Sequence, residues 1–237
     1  MACMMTTLTK HTSLNHSPNH IHIEFSTPRR VLSSAVLNGG LTQADHIVNM
    51  KVAKSVVCKS SPQQTILSYC EDANWNGVTV GMMTAASMDS FRMVKESEQG
   101  IDIVVLVTSG LSNPRRVGDR AEHRVMAAVS EDVGTINIIV LTSAILTEAA
   151  MVEALLIITE AKSAALQDAK VLSPVSNTIA TGTGTASAAI VSGQGPETVG
   201  YCGKHVLFGE MLGRMVTEAV SASIAWDIEA RQRIAQA

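Results

Sequence analysis

Two runs constrain the fold most: Ile101-Asp102-Ile103-Val104-Val105-Leu106-Val107-Thr108 and Gly134-Thr135-Ile136-Asn137-Ile138-Ile139-Val140-Leu141. A strand with one wet face alternates apolar and polar residues, and these do not, so both faces must be covered. The fold therefore needs material on both sides of a central sheet. Asn137 is a polar group inside the second run, and a buried amide needs partners. Thr147 is a helix N-cap with Glu148 just inside it, opening a helix to about Ala169 that contains no Gly or Pro. Its block Leu155-Leu156-Ile157-Ile158 is apolar around most of the circumference, which predicts a buried middle. A final amphipathic helix runs from about Leu207 to Arg231, with Gly209 and Gly213 permitting close packing. Several strands are joined by turns too short for helical crossovers. The expected class is therefore α+β, a mixed or largely antiparallel sheet layered with helices. The alternative is α/β with a mainly parallel sheet, since the helix after the 134–142 strand forms one candidate crossover. A chain of 237 residues, 46% of them hydrophobic, can bury one sizeable core. A single domain over 21–237 is expected, after a disordered polar tail over 1–20.

The remaining segments read less firmly. Ile21 to Phe25 alternates like a half-buried strand, Pro28-Arg29-Arg30 reads as a turn, and Val31 to Leu37 reads as the second arm of a hairpin. Asn38-Gly39-Gly40 then reverses the chain, or presents the Asn38 amide to a ligand. Ala44 to Val52 is expected to be a short helix with His46 and Asn49 on one face. Residues 54–76 read as a loop-rich excursion with one helical turn. Thr79 to Ala86 starts as a strand and leads into small residues, where site loops begin. The loop Ser109 to Asp119 carries Arg115 and Arg116, either solvated or holding a carboxylate or phosphate.

Function is sought first in Thr178-Ile179-Ala180-Thr181-Gly182-Thr183-Gly184-Thr185-Ala186-Ser187, where Thr181, Thr183 and Thr185 alternate with Gly182 and Gly184. It reads as a site loop or as a glycine-weakened strand. No Lys follows, so it is not a phosphate loop. A net charge of -3 gives no basic face for nucleic acid. Aromatics at 3% supply no stacking platform, which leaves a small molecule as the expected partner. Cys3, Cys58, Cys70 and Cys202 form no C-x-x-C, and no residue cluster has zinc spacing, so no metal is expected and reduced thiols are. The first twenty residues lack an apolar signal core, and Val171 to Pro196 is interrupted throughout by Gly, Ser, Thr and Pro. A cytoplasmic protein without a membrane span is expected. Glu153, Glu160 and Gln167 recur every seven residues on one face of the long helix, with Lys162 on another side. That face is a solvated stripe, or it brings Glu160 to a site. His205 stands near the N-terminus of the final helix, where the macrodipole favours a neutral imidazole base, or it is an incidental capping residue.

Taken together, Val31-Leu32-Ser33-Ser34-Ala35-Val36-Leu37-Asn38-Gly39-Gly40, Val80-Gly81-Met82-Met83-Thr84-Ala85-Ala86, Gly110-Leu111-Ser112-Asn113, Gly134-Thr135-Ile136-Asn137, Glu160-Ala161-Lys162, Thr181-Gly182-Thr183-Gly184-Thr185, Gly203-Lys204-His205 and Gly209 occur in an order that resembles the adenosylcobinamide amidohydrolase family. The resemblance covers about residues 21 to 225. It implies hydrolysis of the amide between the aminopropanol arm of adenosylcobinamide and the corrin ring, giving adenosylcobyric acid in cobalamin salvage. The cobalt would belong to the corrinoid substrate, with no cofactor of the protein's own. Amide hydrolysis needs a base, a proton donor, an oxyanion stabiliser and a nucleophile or activated water. The chemically suited candidates are Glu160 or His205 as base, and Lys162 or His205 as proton donor. Asn137, Asn38 and the Gly182 or Gly184 amides are the oxyanion donors, and Thr183 and Thr185 the nucleophiles. Asn38, Gly39, Gly40, Thr84, Asn113, Asn137, Thr181, Gly182 and Gly184 are the candidate substrate-binding positions. One departure stands out, because the family's Thr-Gly run is usually followed by Asp and this chain has Ala186. The rival readings are a non-catalytic corrinoid-binding homologue and a nucleotide-binding module. A homo-oligomer is left open.

Overall fold

The computed structural model describes residues 4–9, 11–53, 60–121 and 134–236. In chain order the elements are β1 (Met4–Thr9), β2 (Thr12–His16), β3 (His20–Ser33), β4 (Gly40–Lys51), α1 (Pro62–Asp72), β5 (Thr79–Thr84), a 3-10 turn (Met88–Ser90), β6 (Arg92–Glu98) and β7 (Ile101–Ser109). There follow β8 (Pro114–Arg115), β9 (Ile136–Thr142), β10 (Ile145–Leu146), α2 (Glu148–Asp168), β11 (Gly182–Thr183), β12 (Ser187–Val191), β13 (Thr198–Val199) and α3 (Leu207–Ala235).

Nine strands form one sheet, ordered β1-β2-β3-β12-β9-β7-β6, with β4 branching from β3 and β5 from β4. Within it only β9–β12 and β4–β5 pair in parallel. The class is α+β with a mixed, largely antiparallel sheet, as expected. The two apolar runs are β7 and β9, side by side. Alternation explains their composition: Ile103, Val105, Val107, Ile136, Ile138 and Val140 point to the core under α2 and α3. Val104, Leu106, Ile139 and Leu141 point the other way, into a second core closed by Ile21, Ile23, Ile47, Val80 and Met82. The sheet thus curls over itself, β2 to β5 covering one face of β7, β9 and β12 while two helices cover the other. A third cluster, with Ile66 and Cys70 of α1, packs on the outside of β4 and β5.

Four expectations are corrected. Part of the expected tail forms β1 and β2, and Thr12 and Leu14 of β2 are buried against β3, because backbone pairing needs no apolar composition. The expected hairpin is the single 14-residue strand β3, whose irregularity between Glu24 and Arg29 absorbs the Pro28 segment instead of reversing the chain. Residues 44–52 lie largely in strand β4 and not in a helix. The strand period puts His46 and Asn49 on opposite faces, His46 toward α1 and Asn49 inward. Residues 62–72 form the three-turn helix α1, capped by Ser61 with Pro62 opening it, where one turn was expected. Residues 54–59 of that excursion lie outside the described residues. The long helix matches its expected bounds, and Thr147 accepts a hydrogen bond from the Ala150 amide. Cys70 and Cys202 are buried free thiols, while Cys3 and Cys58 lie outside the described residues. Among the described residues no helix is long and apolar enough to cross a membrane.

Candidate active site

Five of the segments that carry the resemblance meet where β7 ends and β9 and β12 begin. Gly110 donates its amide to the Thr135 carbonyl at 3.0 Å and packs against Ala86. Thr135 and Thr185 share a hydroxyl contact of 2.8 Å, and Thr185 donates to the Gly134 carbonyl at 3.1 Å. With that proton committed, Thr135 must be the donor of the pair. The Ile136 amide donates to Thr183 Oγ1 at 3.3 Å. Ser34 and Ser187 lie 3.2 Å apart, and the Ala188 amide donates to Ser34 Oγ at 3.1 Å. Five stretches far apart in sequence, beginning near residues 34, 84, 110, 134 and 181, therefore build one end of the sheet.

Asn113 is the wedge between them. A Cβ built on Gly134 would lie 2.4 Å from its Oδ1, and one on Gly184 would lie 2.8 Å from its Nδ2. The glycines at 134 and 184 are required by this side chain, because any larger residue would occupy its place. The loop is tied from its outer side as well. Thr181 donates its amide to the Arg115 carbonyl at 2.9 Å and accepts from the Val117 amide at 2.8 Å, and β11 pairs with β8.

Lys162 brings charge to the loop. It projects from α2 toward Gly182, where a Cβ would sit 3.2 Å from its Nζ. Among the described residues it has no ion-pair partner. Burial pushes its pKa below the usual 10.5, since an ammonium loses hydration there. A lysine in this state releases its proton more readily than a solvated one.

The candidate residues divide accordingly. Lys162, Asn113, Thr181, Gly182, Thr183, Gly184 and Thr185 are brought together. Thr84 and Asn137 lie behind them and are used internally. Asn137 spends both amide hydrogens, on Asn49 Oδ1 at 2.8 Å and on the Met83 carbonyl at 3.0 Å, and so braces the two halves of the sheet. Thr84 is buried and accepts from the Ala86 amide at 3.0 Å. Asn38 has φ 52° and donates to the Thr79 carbonyl at 2.8 Å, with Gly39 pressed on the Ala35 carbonyl; these two shape the β3–β4 turn that Gly40 completes.

Glu160 and His205 stand apart. Two positions along a helix turn through about 200°, so Glu160 and Lys162 leave α2 on different flanks. Glu160 pairs with Lys204 at the surface, and Glu153 on the same flank accepts the Cys202 amide at 2.6 Å. The seven-residue stripe is thus exposed at Glu160 and Gln167 and lies apart from the Thr-Gly site, with Glu153 and Glu160 holding the 202–204 loop. Burial, and then the Glu153 carboxylate, push the Cys202 thiol up to about 12. His205 is exposed one residue before Val206, the N-cap of α3. Ser34 and Ser187 were missed as site residues. Both lie inside motif stretches, but nothing local to either predicts that β3 and β12 bring them together.

A family model described as CbiZ, adenosylcobinamide amidohydrolase, matches residues 4–232. An uncharacterized protein of Methanocaldococcus jannaschii is 34% identical over 153 residues, covering 59% of this chain and 60% of that protein's length. An adenosylcobinamide amidohydrolase of Methanosarcina mazei is 29% identical over 205 residues, covering 84% of this chain and 90% of that one. Among solved structures, a Burkholderia sp. beta-aminopeptidase has a TM-score of 0.42 at 13% identity, covering 94% of this chain and 81% of its own. A protein of Pyrococcus horikoshii OT3 also has a TM-score of 0.42, at 11% identity, with 95% and 82% covered. With the family model spanning all but the two ends, the chain belongs to the adenosylcobinamide amidohydrolase family.

Proposed function

We propose that this protein hydrolyses the amide joining the aminopropanol arm of adenosylcobinamide to the corrin ring, releasing adenosylcobyric acid and aminopropanol for cobalamin salvage in the cytoplasm. One observation carries the reading: the motif stretches converge on a loop of hydroxyls and glycines faced by Lys162, a cation without a carboxylate partner among the described residues. A corrinoid is a large macrocycle fringed with amides. Hydroxyls and backbone groups suit such a rim, and a carboxylate-rich site would not.

In this reading Lys162 Nζ holds the proton that the departing amine nitrogen must receive, and burial eases its release. Thr185 has its own proton committed to the Gly134 carbonyl. Thr183 accepts from the Ile136 amide and keeps its proton, so it is the hydroxyl free to deliver or orient the attacking oxygen. Water is consumed: its oxygen ends on the new carboxyl group and its hydrogens on the acid and the amine. The cobalt is part of the substrate. Among the described residues no group of three or more His, Cys, Asp or Glu is placed to hold a metal, and we propose that turnover requires none added.

The test is incubation of the purified protein with adenosylcobinamide and mass spectrometry of the corrinoid. Adenosylcobyric acid supports the proposal. Intact substrate retained by the protein would assign it instead as a corrinoid binder.

A further inference from the structure

The end of α3 reaches the same site from behind. Asp227 is 8% exposed, and its Oδ2 accepts the Leu111 amide at 2.9 Å and Arg231 Nε at 2.7 Å. One turn earlier Ser223, fully buried, donates to the Ser90 carbonyl at 2.7 Å. Its contact with Ser109 Oγ at 2.8 Å therefore has Ser109 as donor. The Ser109 amide donates in turn to Ser90 Oγ at 3.1 Å, and Ser90 Oγ to the Ser87 carbonyl at 2.6 Å. Ser223 ties α3 to Ser90 after β5 and to Ser109 at the end of β7, Asp227 ties it to Leu111 after β7, and the Ser109–Ser90 bond links the two exits to each other. Those exits carry Thr84 to Ala86 and Gly110 to Asn113, and they touch each other at Ala86 and Gly110.

We infer that Asp227 and Ser223 form a clamp that positions Asn113, and through it the Thr-Gly loop, without touching substrate. The inference rests on the functional reading above, because it takes the 109–113 and 181–187 loops as the active site. Its physics is local. Leu111 lies two residues before Asn113, and its amide is buried where water cannot replace a lost partner. A carboxylate acceptor makes that bond charge-assisted, the stronger and more directional kind. Asn113 in turn fills the space between Gly134 and Gly184 and accepts the Gly184 amide on its carbonyl at 3.3 Å. Release of Leu111 would let the wedge drift, and a catalytic group misplaced by about 1 Å can cost up to a hundredfold in rate. Ser223 and Asp227 are four residues apart and so share a face of α3, which lets one helix hold both exits at once. The Asp227 anchor does more than support the fold, since it bonds the loop residue Leu111, while Ser223 holds Ser109, the last residue of β7, and Ser90.

The experiment compares the wild type with Asp227→Ala, Asp227→Asn and Ser223→Ala. The readouts are kcat and KM on adenosylcobinamide at 25 °C, circular dichroism, and hydrogen–deuterium exchange over residues 109–113. A clamp predicts that folded Asp227→Ala loses about tenfold or more in kcat with KM within a few-fold, while exchange rises at 109–113. Asp227→Asn, which keeps an acceptor for the Leu111 amide, restores most of the rate. A wild-type kcat in folded Asp227→Ala, or unaltered exchange at 109–113, overturns the inference. If Asp227→Ala does not fold, Ser223→Ala decides: a several-fold lower kcat supports the clamp and a wild-type kcat overturns it. Absence of turnover in the wild type would refute the functional reading alone. The exchange measurement would then judge the clamp, with faster exchange at 109–113 in Asp227→Ala supporting it and unaltered exchange overturning it.

Discussion

Gly182→Ala separates activity from stability more cleanly than any other change in the site. The new Cβ would lie 3.2 Å from Lys162 Nζ and 3.6 Å from its Cε, with no backbone atom among its close neighbours. The backbone at Gly182 is not left-handed, so alanine fits there without strain. Lys162 is flexible and can yield by a few tenths of an ångström. The unfolded chain also loses freedom, a gain of about 0.4–1 kcal/mol. Stability should therefore change by no more than about 1 kcal/mol. The rate should not be spared, because a displaced Nζ no longer meets the leaving nitrogen, and a loss of about tenfold in kcat is expected. Gly134→Ala is the contrast. Its Cβ would lie 2.7 Å from the Asn113 backbone nitrogen, which cannot rotate away, so about 1–3 kcal/mol of stability should go with the activity. The assay is kcat and KM on adenosylcobinamide beside a thermal melt of each variant. A wild-type kcat in Gly182→Ala would refute the placement of Lys162 at the reacting centre, and so would a loss of rate that tracks a collapse in melting temperature.

Other expectations follow from the same contacts. Glu160→Gln should leave kcat within about threefold, because its pair with Lys204 is exposed at 58% and 66% and such pairs contribute about 0–1 kcal/mol; a fall of a hundredfold would return Glu160 to the reacting centre. Burial, then His46 and His20, hold the His22 pKa down at about 3 while its ring stacks on Trp75 at 3.7 Å and bonds His46 at 3.2 Å. The unfolded chain therefore binds the extra proton first. Stability is full above about pH 6.5 and falls toward pH 3 by up to about 1.4 kcal/mol per unit. Urea melts between pH 4.5 and 7.5 should show that slope, flattened in His22→Phe; an unchanged slope in the variant would contradict it. Ala186→Asp should raise kcat with little change in melting temperature, since Thr185 and Ser187 already hold the loop on either side of it. Unaltered kcat and KM would rule out a catalytic role for the missing carboxylate.

The central strands and the long helix were legible because burial on both faces leaves a mark that no neighbour can mimic. Val104 and Val105 face different cores, so the run had to be apolar throughout. β3 was misread because Pro28-Arg29-Arg30 has the composition of a turn, while the fold accommodates it as an irregularity in a continuing strand and buries Arg29. His46 and Asn49 fit a helical spacing as well as a strand, and only tertiary partners decide: His46 bonds His22, and Asn49 bonds Thr108 and Asn137. At the site, the Thr-Gly stretch and Lys162 were recoverable as residues, but not their company. Asn137 was expected to serve a ligand; its amide hydrogens brace the sheet through partners on β4 and β5 that are distant in sequence, while its buried Oδ1 has no hydrogen-bond partner among the described residues. Asp227 carries no motif at all, and its role exists only through the fold.

The most direct test of the central claim is a single-turnover reaction of adenosylcobinamide with an excess of wild-type protein or of Lys162→Met, the corrinoid product being followed by mass spectrometry. Adenosylcobyric acid is expected from the wild type, and from Lys162→Met a rate lower by about a hundredfold or more with substrate still bound. Equal rates from the two proteins, or intact adenosylcobinamide from both, would contradict it.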